Sequence, residues 1–273
     1  MGIYEIKNFF TSHKSMDFDK CSPFNENARG VPALLSSEED CGKCTACADS
    51  CPVKAISISK EGMQIDCGAC IQCGICTDLC PEERLVNSGF THVFAFRKEE
   101  LKVRFQKGDF VPEKPEIPEN VLIFQEMTEG KGICYREIAA AGNNAVECEL
   151  NASFNNLFDS EGQGVRSVAS PKHADVLLYS GPVSENMAGP LNTAWECMPE
   201  PKAMAAAGSE AVAGGLFQLG RLPKEPDVFI GGDPPRPDVM IQAMRMLMGK
   251  FKYSFQSAFH KRIQELKNRR KQS

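Results

Sequence analysis

The chain has 273 residues and a formal net charge of -5, and this acidic balance argues against a nucleic-acid-binding protein. Hydrophobic residues make up 42% and charged residues 25%, which is typical of globular proteins, and the length suffices for two domains. No apolar run approaches the roughly 18 residues of a membrane span. We therefore expect a cytoplasmic protein, alone or on the cytoplasmic face of a membrane complex.

Residues 1–40 contain few periodic apolar positions and lack the charged start and long apolar core of a secretory signal. Cys21 in this segment has no partner at ligand spacing, and we interpret it as a small buried residue. The histidines are scattered along the chain, and none forms a metal-ligand pair: they are His13, His92, His173 and His260.

Eight cysteines form two copies of one motif, about 29 residues apart, each ending in Cys-Pro. Cysteines spaced by two residues surround one corner of a [4Fe-4S] cube, and the distant fourth cysteine ligates the other cluster. The sequence therefore predicts two [4Fe-4S] clusters in a ferredoxin-like domain of α+β class over residues 1–111. Cluster 1 is expected on Cys41, Cys44, Cys47 and Cys80, and cluster 2 on Cys51, Cys70, Cys73 and Cys76.

Zinc and disulfides are the competing interpretations of these cysteines. Zinc sites also use Cys-x2-Cys pairs, but they need neither a third such step nor the Cys-Pro ending. Disulfides are disfavoured because no secretory signal precedes the motif. Cys67 is left over and is expected to be a spare thiol, since only the frame that starts at Cys70 ends in Cys-Pro. Residues 55–58 and 63–65 are predicted strands around a turn.

The segment Asn-Ala-Arg-Gly-Val-Pro at 27–32 stands just ahead of the first motif. It resembles the lead-in of ferredoxin-type subunits of complex I and membrane-linked [NiFe] hydrogenases. The resemblance implies that Arg29 packs over the cluster domain; an ordinary loop arginine is the alternative. Further on, residues 90–96 are predicted to pack against the cluster core, and the proline-bearing residues 112–119 are predicted to be a linker.

The second half alternates between predicted strands and helices. The strands are expected at 120–124, 175–180, 203–207 and 227–230, and the helices at 134–141, 187–198 and 236–248. This order predicts a parallel sheet covered on both faces, an α/β flavodoxin-like arrangement, over residues 120–249. Any site is then expected at the carboxyl ends of the strands.

Four blocks carry a closer resemblance: HADVLLYSGP at 173–182, NMAGPL at 186–191, MPEPK at 198–202 and DVFIGGDPPRP at 227–237. They are similar to the small subunit of group 4 [NiFe] hydrogenases and the homologous complex I subunit. The resemblance covers about residues 120–248. It implies partner subunits of the hydrogenase large-subunit or complex I type, other electron-transfer subunits or ferredoxin, no nucleic acid, and membrane association only through partners.

That family's domain binds one further [4Fe-4S] cluster on four cysteines. The resemblance places the four positions at Lys131, Cys134, Glu210 and Asp233. One thiolate, two carboxylates and an ammonium do not hold the cube, because Fe–S covalency supplies the affinity. We therefore expect this cluster to be absent, with Lys131 paired to Glu210 or Asp233.

A rebuilt third cluster is the alternative for this half of the chain. Its ligands would be Cys134, Cys148 and Cys197, although the last two are more simply core residues. The glycine pairs at 214–215 and 231–232 lack the patterns of phosphate-binding loops, so a nucleotide site is not expected.

Residues 250–273 are predicted to form a basic amphipathic helix. Its apolar face is marked by Phe251, Phe255, Phe259, Ile263 and Leu266. The helix either docks on its own domain or clamps an acidic partner subunit or anionic lipid.

These observations predict an iron-sulfur electron-transfer subunit of a multisubunit hydrogenase-like or complex I-related oxidoreductase, with the second domain acting as a dock. No residue is a candidate general acid, base or nucleophile, so catalysis is expected in a partner. The alternatives are a small subunit with a rebuilt third cluster that feeds a [NiFe] site, and a structural or assembly scaffold.

Overall fold

The computed structural model describes residues 15–36, 41, 44–60, 62–128, 131–214 and 220–272. Its first half contains short elements: β1 (Pro32–Leu34), α1 (Ala46–Asp49), β2 (Ile56–Ser59), β3 (Gly62–Asp66), α2 (Ile75–Asp78), β4 (Leu85–Asn87), β5 (Phe94–Ala95) and β6 (Lys102–Phe105). Strands β2, β3 and β6 form an antiparallel sheet in that order, and β1 pairs with β4. The predicted hairpin is confirmed, because β2 pairs with β3.

The hairpin sheet forms because its strands alternate buried apolar and more exposed polar residues. Ile65, Val103 and Phe105 are buried, while Gln64 and Arg104 between them are hydrogen-bonded to each other on the outer face. Gly62 has a φ of 122°, and a Cβ there would lie 2.0 Å from the Phe105 carbonyl oxygen. The turn therefore requires glycine at this position.

The second half contains α3 (Glu119–Thr128), β7 (Ile133–Ala139), α4 (Ala145–Ala152), β8 (Val165–Ser167), β9 (Val176–Ser180), α5 (Glu185–Cys197), β10 (Ala203–Ala207), α6 (Ser209–Ala213), β11 (Val228–Ile230), α7 (Pro237–Leu247) and α8 (Phe255–Gln272). One six-stranded sheet has the order β5-β11-β10-β9-β7-β8. In this sheet β5 pairs with β11 in antiparallel orientation, and all the other neighbouring strands are parallel. This parallel-rich, helix-covered sheet is the flavodoxin-like arrangement that the sequence predicts.

Both faces of this sheet are buried. Val176 and Leu178 of β9 pack in the core with α3, α4 and α7, while Leu177 and Tyr179 pack in the core with α5 and the cluster-bearing half. A parallel strand buried on both faces has a continuous apolar sequence, as β9 and β10 do.

Two predicted elements are wrong, whereas the remaining predicted strands and helices of this half appear within a few residues of their expected positions. Residues 120–124 belong to helix α3: Val121 and Phe124 are buried, but Leu122 and Ile123 are 44% and 51% exposed. That spacing is helical. Residues 134–141 lie mostly in strand β7, where Ile133 and Tyr135 alternate inward. Short apolar runs do not separate helix from strand by pattern alone.

Strand β5 links the two halves of the chain. It lies in the segment 90–96, whose Phe90 and Val93 pack in one core with Ile65 of the cluster-bearing half, as the sequence predicts. The residues of β5 also pair with β11 at the edge of the large sheet. The predicted linker residues 112–118 form neither helix nor strand, and the Glu113 backbone N–H donates to Gln256 of α8 over 2.8 Å. The domain limits at 111, 119 and 249 remain predictions.

Helix α8 docks on its own chain, which confirms the first of the two alternatives for the tail. Phe255 and Phe259 are buried against Phe90, with ring centroids 5.9 and 5.2 Å apart. Because these rings form the apolar face, that face does not meet lipid. Among the described residues, no helix combines the length and the apolarity that a membrane crossing requires.

Candidate functional site

The first cysteine pocket lies between α1 and the loop that precedes β4. Leu34 and Met63 cover it from the core side. The cysteines in its wall are the four predicted for cluster 1: Cys41, Cys44, Cys47 and Cys80. Three come from the first motif and one from the second, so the fold brings together cysteines that the sequence separates.

The second cysteine pocket is its counterpart beside α2. The cysteines in its wall are the four predicted for cluster 2: Cys51, Cys70, Cys73 and Cys76. Apolar residues such as Val53 and Ile56 complete the wall. Soft sulfur donors in an apolar shell fit an iron-sulfur cluster.

Backbone N–H groups point at several of these sulfur atoms. Ala55 donates to Cys51 Sγ over 3.2 Å, and Leu85 donates to Cys80 Sγ over 3.4 Å. Such bonds stabilise negative charge on sulfur. Burial raises the pKa of Cys70 and of Cys76 to about 12, so these thiolates need the positive charge of iron as compensation.

Arg29 lies over the second pocket, as its sequence context implied. Its Nη1 donates to the Cys73 carbonyl oxygen over 2.7 Å, and its Cδ would lie 2.8 Å from a Cβ at Gly74. Cys67 is fully buried but does not line either pocket. The expectation of a spare thiol beside the cluster loop is consistent with this position.

A third, acidic pocket lies at the carboxyl ends of the parallel strands. Asn143, Glu147, Glu210 and Asp233 line it together with Ser180. Ser180 Oγ donates to Glu147 Oε1 over 2.5 Å. Burial, with Asp233 and Glu147 nearby, raises the pKa of Glu210. The pocket presents carboxylates where the parallel sheet predicts a site.

The structure brings Glu210 and Asp233 together but leaves Lys131 and Cys134 elsewhere. These two residues stand at the start of β7, whereas the acidic pocket lies beyond its end. A seven-residue strand spans about 20 Å. Lys131 is exposed and forms no ion pair with Glu210 or Asp233. The expected pairing in the emptied site is therefore wrong, because residues 134–141, which the sequence predicts as a helix, lie mostly in strand β7.

The structure points to a different origin for the missing ligands. The resemblance to the hydrogenase small subunit implies an opening motif of two cysteines close together before a helix, with a glutamate three residues on. The loop from β7 into α4 has this form, with Asn143 and Asn144 before the helix and Glu147 three residues later. The spacing from Asn144 to Glu147 is the one signal of this motif in the sequence, and no cysteine marks it.

The cysteines of the alternative third cluster do not surround one point. Cys148 lies on α4, whose buried residues pack on one face of the sheet. Cys197 ends α5, whose buried residues pack on the other face. The sheet therefore separates Cys148 from Cys197. Both thiols are exposed, so the expectation that they are core residues is wrong.

Two family models match the chain. Residues 40–84 match the 4Fe-4S dicluster domain, and residues 142–247 match the family described as NADH ubiquinone oxidoreductase, 20 Kd subunit. The first match covers the two cysteine motifs, and the second covers the acidic pocket and four strands of the large sheet, β8 to β11.

Several curated proteins are similar to the second half. Formate hydrogenlyase subunit 7 of Escherichia coli (strain K12) is 35% identical over 119 residues, 41% of this chain and 47% of that protein. The probable membrane-bound hydrogenase subunit mbhJ of Pyrococcus furiosus is 32% identical over 114 residues, 39% of this chain and 68% of that protein. NADH-quinone oxidoreductase subunit 6 of Thermus thermophilus is 36% identical over 88 residues, 30% of this chain and 49% of that protein.

The match thus spans about half the length of the first of these relatives. It extends over two thirds of the second. Together with a 4Fe-4S dicluster domain ahead of it, the second half makes this chain a member of the NADH ubiquinone oxidoreductase 20 Kd subunit family.

Proposed function

We propose that this chain is an electron-transfer subunit of a multisubunit hydrogenase-like or complex I-related oxidoreductase. It relays electrons through two [4Fe-4S] clusters, and its flavodoxin-like part docks on a partner subunit without a cluster of its own. The grouping of eight cysteines into two pockets of four carries this proposal, because each pocket combines three cysteines of one motif with one of the other.

A bound [4Fe-4S] cluster accepts and releases one electron. The chain contributes the thiolate ligands, the shell that excludes water and the N–H groups that face sulfur. The N–H donors of Ala55 and Leu85 favour the more negative reduced state, so they raise the reduction potential. Leu34 and Met63 limit solvent access to the first pocket.

The chemistry of the acidic pocket supports the assignment of the second half as a dock. Helix α6 lies between the second cysteine pocket and the acidic pocket. Its Ala213 packs against the small core that contains Cys51, while its Glu210 lines the acidic pocket. A cluster in the acidic pocket would exchange electrons across this helix. Carboxylates there repel an anionic cluster and offer no thiolate. Electrons therefore enter and leave through the two amino-terminal clusters.

The names of the relatives support a multisubunit setting. Each is a subunit of a larger enzyme: a formate hydrogenlyase, a membrane-bound hydrogenase or an NADH-quinone oxidoreductase. By analogy, this chain contacts a hydrogenase large-subunit-like or complex I-like protein, exchanges electrons with another subunit or with ferredoxin, and reaches a membrane only through partners.

Iron and acid-labile sulfide per chain on anaerobically purified protein test the proposal. We expect about eight irons. Cys41→Ala, Cys80→Ala and the double variant of these two should each lose about four, because both residues serve one cluster. The Cys41→Ala/Cys51→Ala double variant should lose about eight. If the Cys41→Ala/Cys80→Ala double variant lost about eight irons, the two residues would serve different clusters. The ligand sets that combine three cysteines of one motif with one of the other would then be wrong.

Variants outside the cysteine pockets serve as controls. Glu210→Ala and Cys134→Ala should keep about eight irons. A count of about twelve that falls to eight in Cys134→Ala would instead establish a third cluster. Clusters that failed to titrate reversibly by electron paramagnetic resonance within the range of about -700 to +450 mV would favour a structural scaffold.

A further inference from the structure

Three potential metal ligands from distant parts of the chain meet outside the cysteine pockets. Cys21 Sγ lies 3.8 Å from His92 Nε2 and 3.7 Å from Asp238 Oδ2. The three ligand atoms all lie within 4.8 Å of one another. Neither the cluster motifs nor the acidic pocket includes any of these residues.

The segment that carries Cys21 is held firmly against α7. Gln242 Nε2 donates to the Phe18 carbonyl oxygen over 2.5 Å, and Arg245 Nη2 pairs with Asp19 over 2.6 Å. These contacts, two and three residues before Cys21, fix the approach of its thiol to the start of α7. The position of Cys21 beside His92 and Asp238 therefore follows from the packing of this segment on α7 and not from the rotamer of one side chain.

The other two ligands are buried and oriented by their neighbours. His92 is 2% exposed, and its Nδ1 faces Thr91 Oγ1 at 3.3 Å, which leaves Nε2 towards the thiol. Asp238 is 1% exposed, and Arg236 contacts both of its oxygens at 3.0 Å. A carboxylate oxygen has a second lone pair, so it can accept from arginine and still bind a metal. Such outer contacts are typical of metal sites.

We propose that Cys21, His92 and Asp238 bind a divalent zinc-type ion. Tetrahedral zinc with Zn–S near 2.3 Å and Zn–N or Zn–O near 2.0 Å places sulfur about 3.5 Å from the other donors. The observed distances of 3.8 and 3.7 Å differ from this by a few tenths of an ångström. One thiolate, one imidazole and one carboxylate form a borderline-soft set, which suits zinc better than magnesium or calcium.

Charge and access are compatible with metal binding. Burial and the Asp238 carboxylate raise the pKa of Cys21 to about 11, so the thiol is protonated without metal, and binding exchanges one proton for the ion. Burial lowers the pKa of His92 to about 4, so its ring is neutral at pH 7. Cys21 is only partly buried, which provides an entry path. Water completes the coordination; the nearby Met16 thioether, 3.9 Å from Cys21 Sγ, is a weak zinc ligand.

The ion would tie together the lead-in segment, the loop before β5 and the first turn of α7. Each pair of ligands encloses about 70 residues or more of chain, so the metal closes long loops and stabilises the packing of the two halves. Its role is structural, and it requires no electron transfer.

Metal analysis of the full-length chain, purified with its clusters, tests this site after addition of one equivalent of zinc and desalting. We expect about one zinc per chain in the wild type and in Cys148→Ser, a control that removes an exposed thiol. Cys21→Ser should lose at least tenfold in bound zinc with its iron content unchanged. No zinc in the wild type, retained zinc in Cys21→Ser, or copper in place of zinc would overturn the proposal.

X-ray absorption at the zinc edge decides the question without a variant. We expect one sulfur near 2.3 Å and the remaining nitrogen or oxygen donors near 2.0–2.1 Å. A shell of three or four sulfurs would place the zinc in a cysteine motif and would overturn the assignment. Since the signal comes from zinc alone, the result does not depend on the electron-transfer proposal.

Discussion

Glu100 is a half-buried carboxylate whose environment opposes ionisation. It lies in a short 3₁₀ turn, Lys98–Leu101, and its Oε1 has no hydrogen-bond partner in the described part of the chain. Burial, with smaller effects of Glu113 and Glu116, raises its pKa to about 7, although Arg97 acts in the opposite sense. Because the folded-state pKa exceeds the unfolded value, the fold loses stability as the pH rises towards and through 7.

Glu100→Gln should therefore stabilise the protein at alkaline pH. We expect the difference in apparent Tm between variant and wild type to grow from pH 5 to pH 8. At pH 8 the gain in free energy of unfolding should be about 1–2 kcal/mol, because solvent partly screens the half-buried carboxylate. Thermal unfolding under anaerobic conditions measures it. Glu99→Gln, at the exposed neighbouring residue, is the control, and its difference in Tm from the wild type should not grow with pH. A difference that does not change with pH would contradict the argument.

Helix α8 packs against the cluster-bearing half. Arg262 is 4% exposed, its Nε donates to the Ser88 carbonyl oxygen over 2.8 Å, and its guanidinium lies 3.9 Å from the Phe24 ring centroid. Further along, Lys267 Nζ donates to the Gly108 carbonyl oxygen and Arg269 pairs with Glu26. Several of the basic residues that suggested a partner or a lipid thus bind their own chain.

Arg262→Ala should destabilise the fold by about 2 kcal/mol or more, because it removes the donor to a buried carbonyl and the cation–π contact. The neighbouring Lys261→Ala, on the exposed side of the helix, should change stability by less than about 0.5 kcal/mol. Chemical unfolding followed by circular dichroism measures both. If both variants lost the same stability, α8 would stabilise the fold through its overall positive charge and not through the contacts of Arg262.

At the scale of the whole molecule, the two halves meet by close backbone approach. A Cβ at Gly231, just after β11, would lie 3.1 Å from Gly68 Cα and 3.2 Å from the Cys67 carbonyl oxygen. The loop that leads to Cys70 therefore rests directly on the end of the large sheet. With β5 also paired to β11, the cluster-bearing half is continuous with the dock.

Gly231→Ala should separate this junction slightly and destabilise the protein by about 1–2 kcal/mol. Besides a methyl group of Val93, the new Cβ would meet two backbone atoms, of Gly68 and Cys67, which cannot rotate away. Gly189→Ala in α5 is the matched control, since no atom lies within 4 Å of its Cβ, and it should be neutral or stabilising. Thermal unfolding of both variants measures this. Equal stability of the two variants would show that the halves are not tightly packed here.

Sequence alone determined the chemistry of the amino-terminal half. Cysteine spacing is a local property, and a loop with sulfur donors every third residue has few uses besides an iron-sulfur cluster. The same spacing predicted two sets of four cysteines, and the structure groups those sets around two pockets. Strands β9 and β10 were also predictable, because a continuous apolar run flanked by turn residues is typical of a buried parallel strand.

Only the tertiary structure decided which residues meet across long stretches of chain. It separated Lys131 from Glu210, because β7 is a strand about 20 Å long. It placed β5 in the large sheet and brought Cys21 to His92 and Asp238. No local spacing encodes such meetings: they result from how the helices and strands pack, and side chains far apart in sequence carry no periodic signal of their approach.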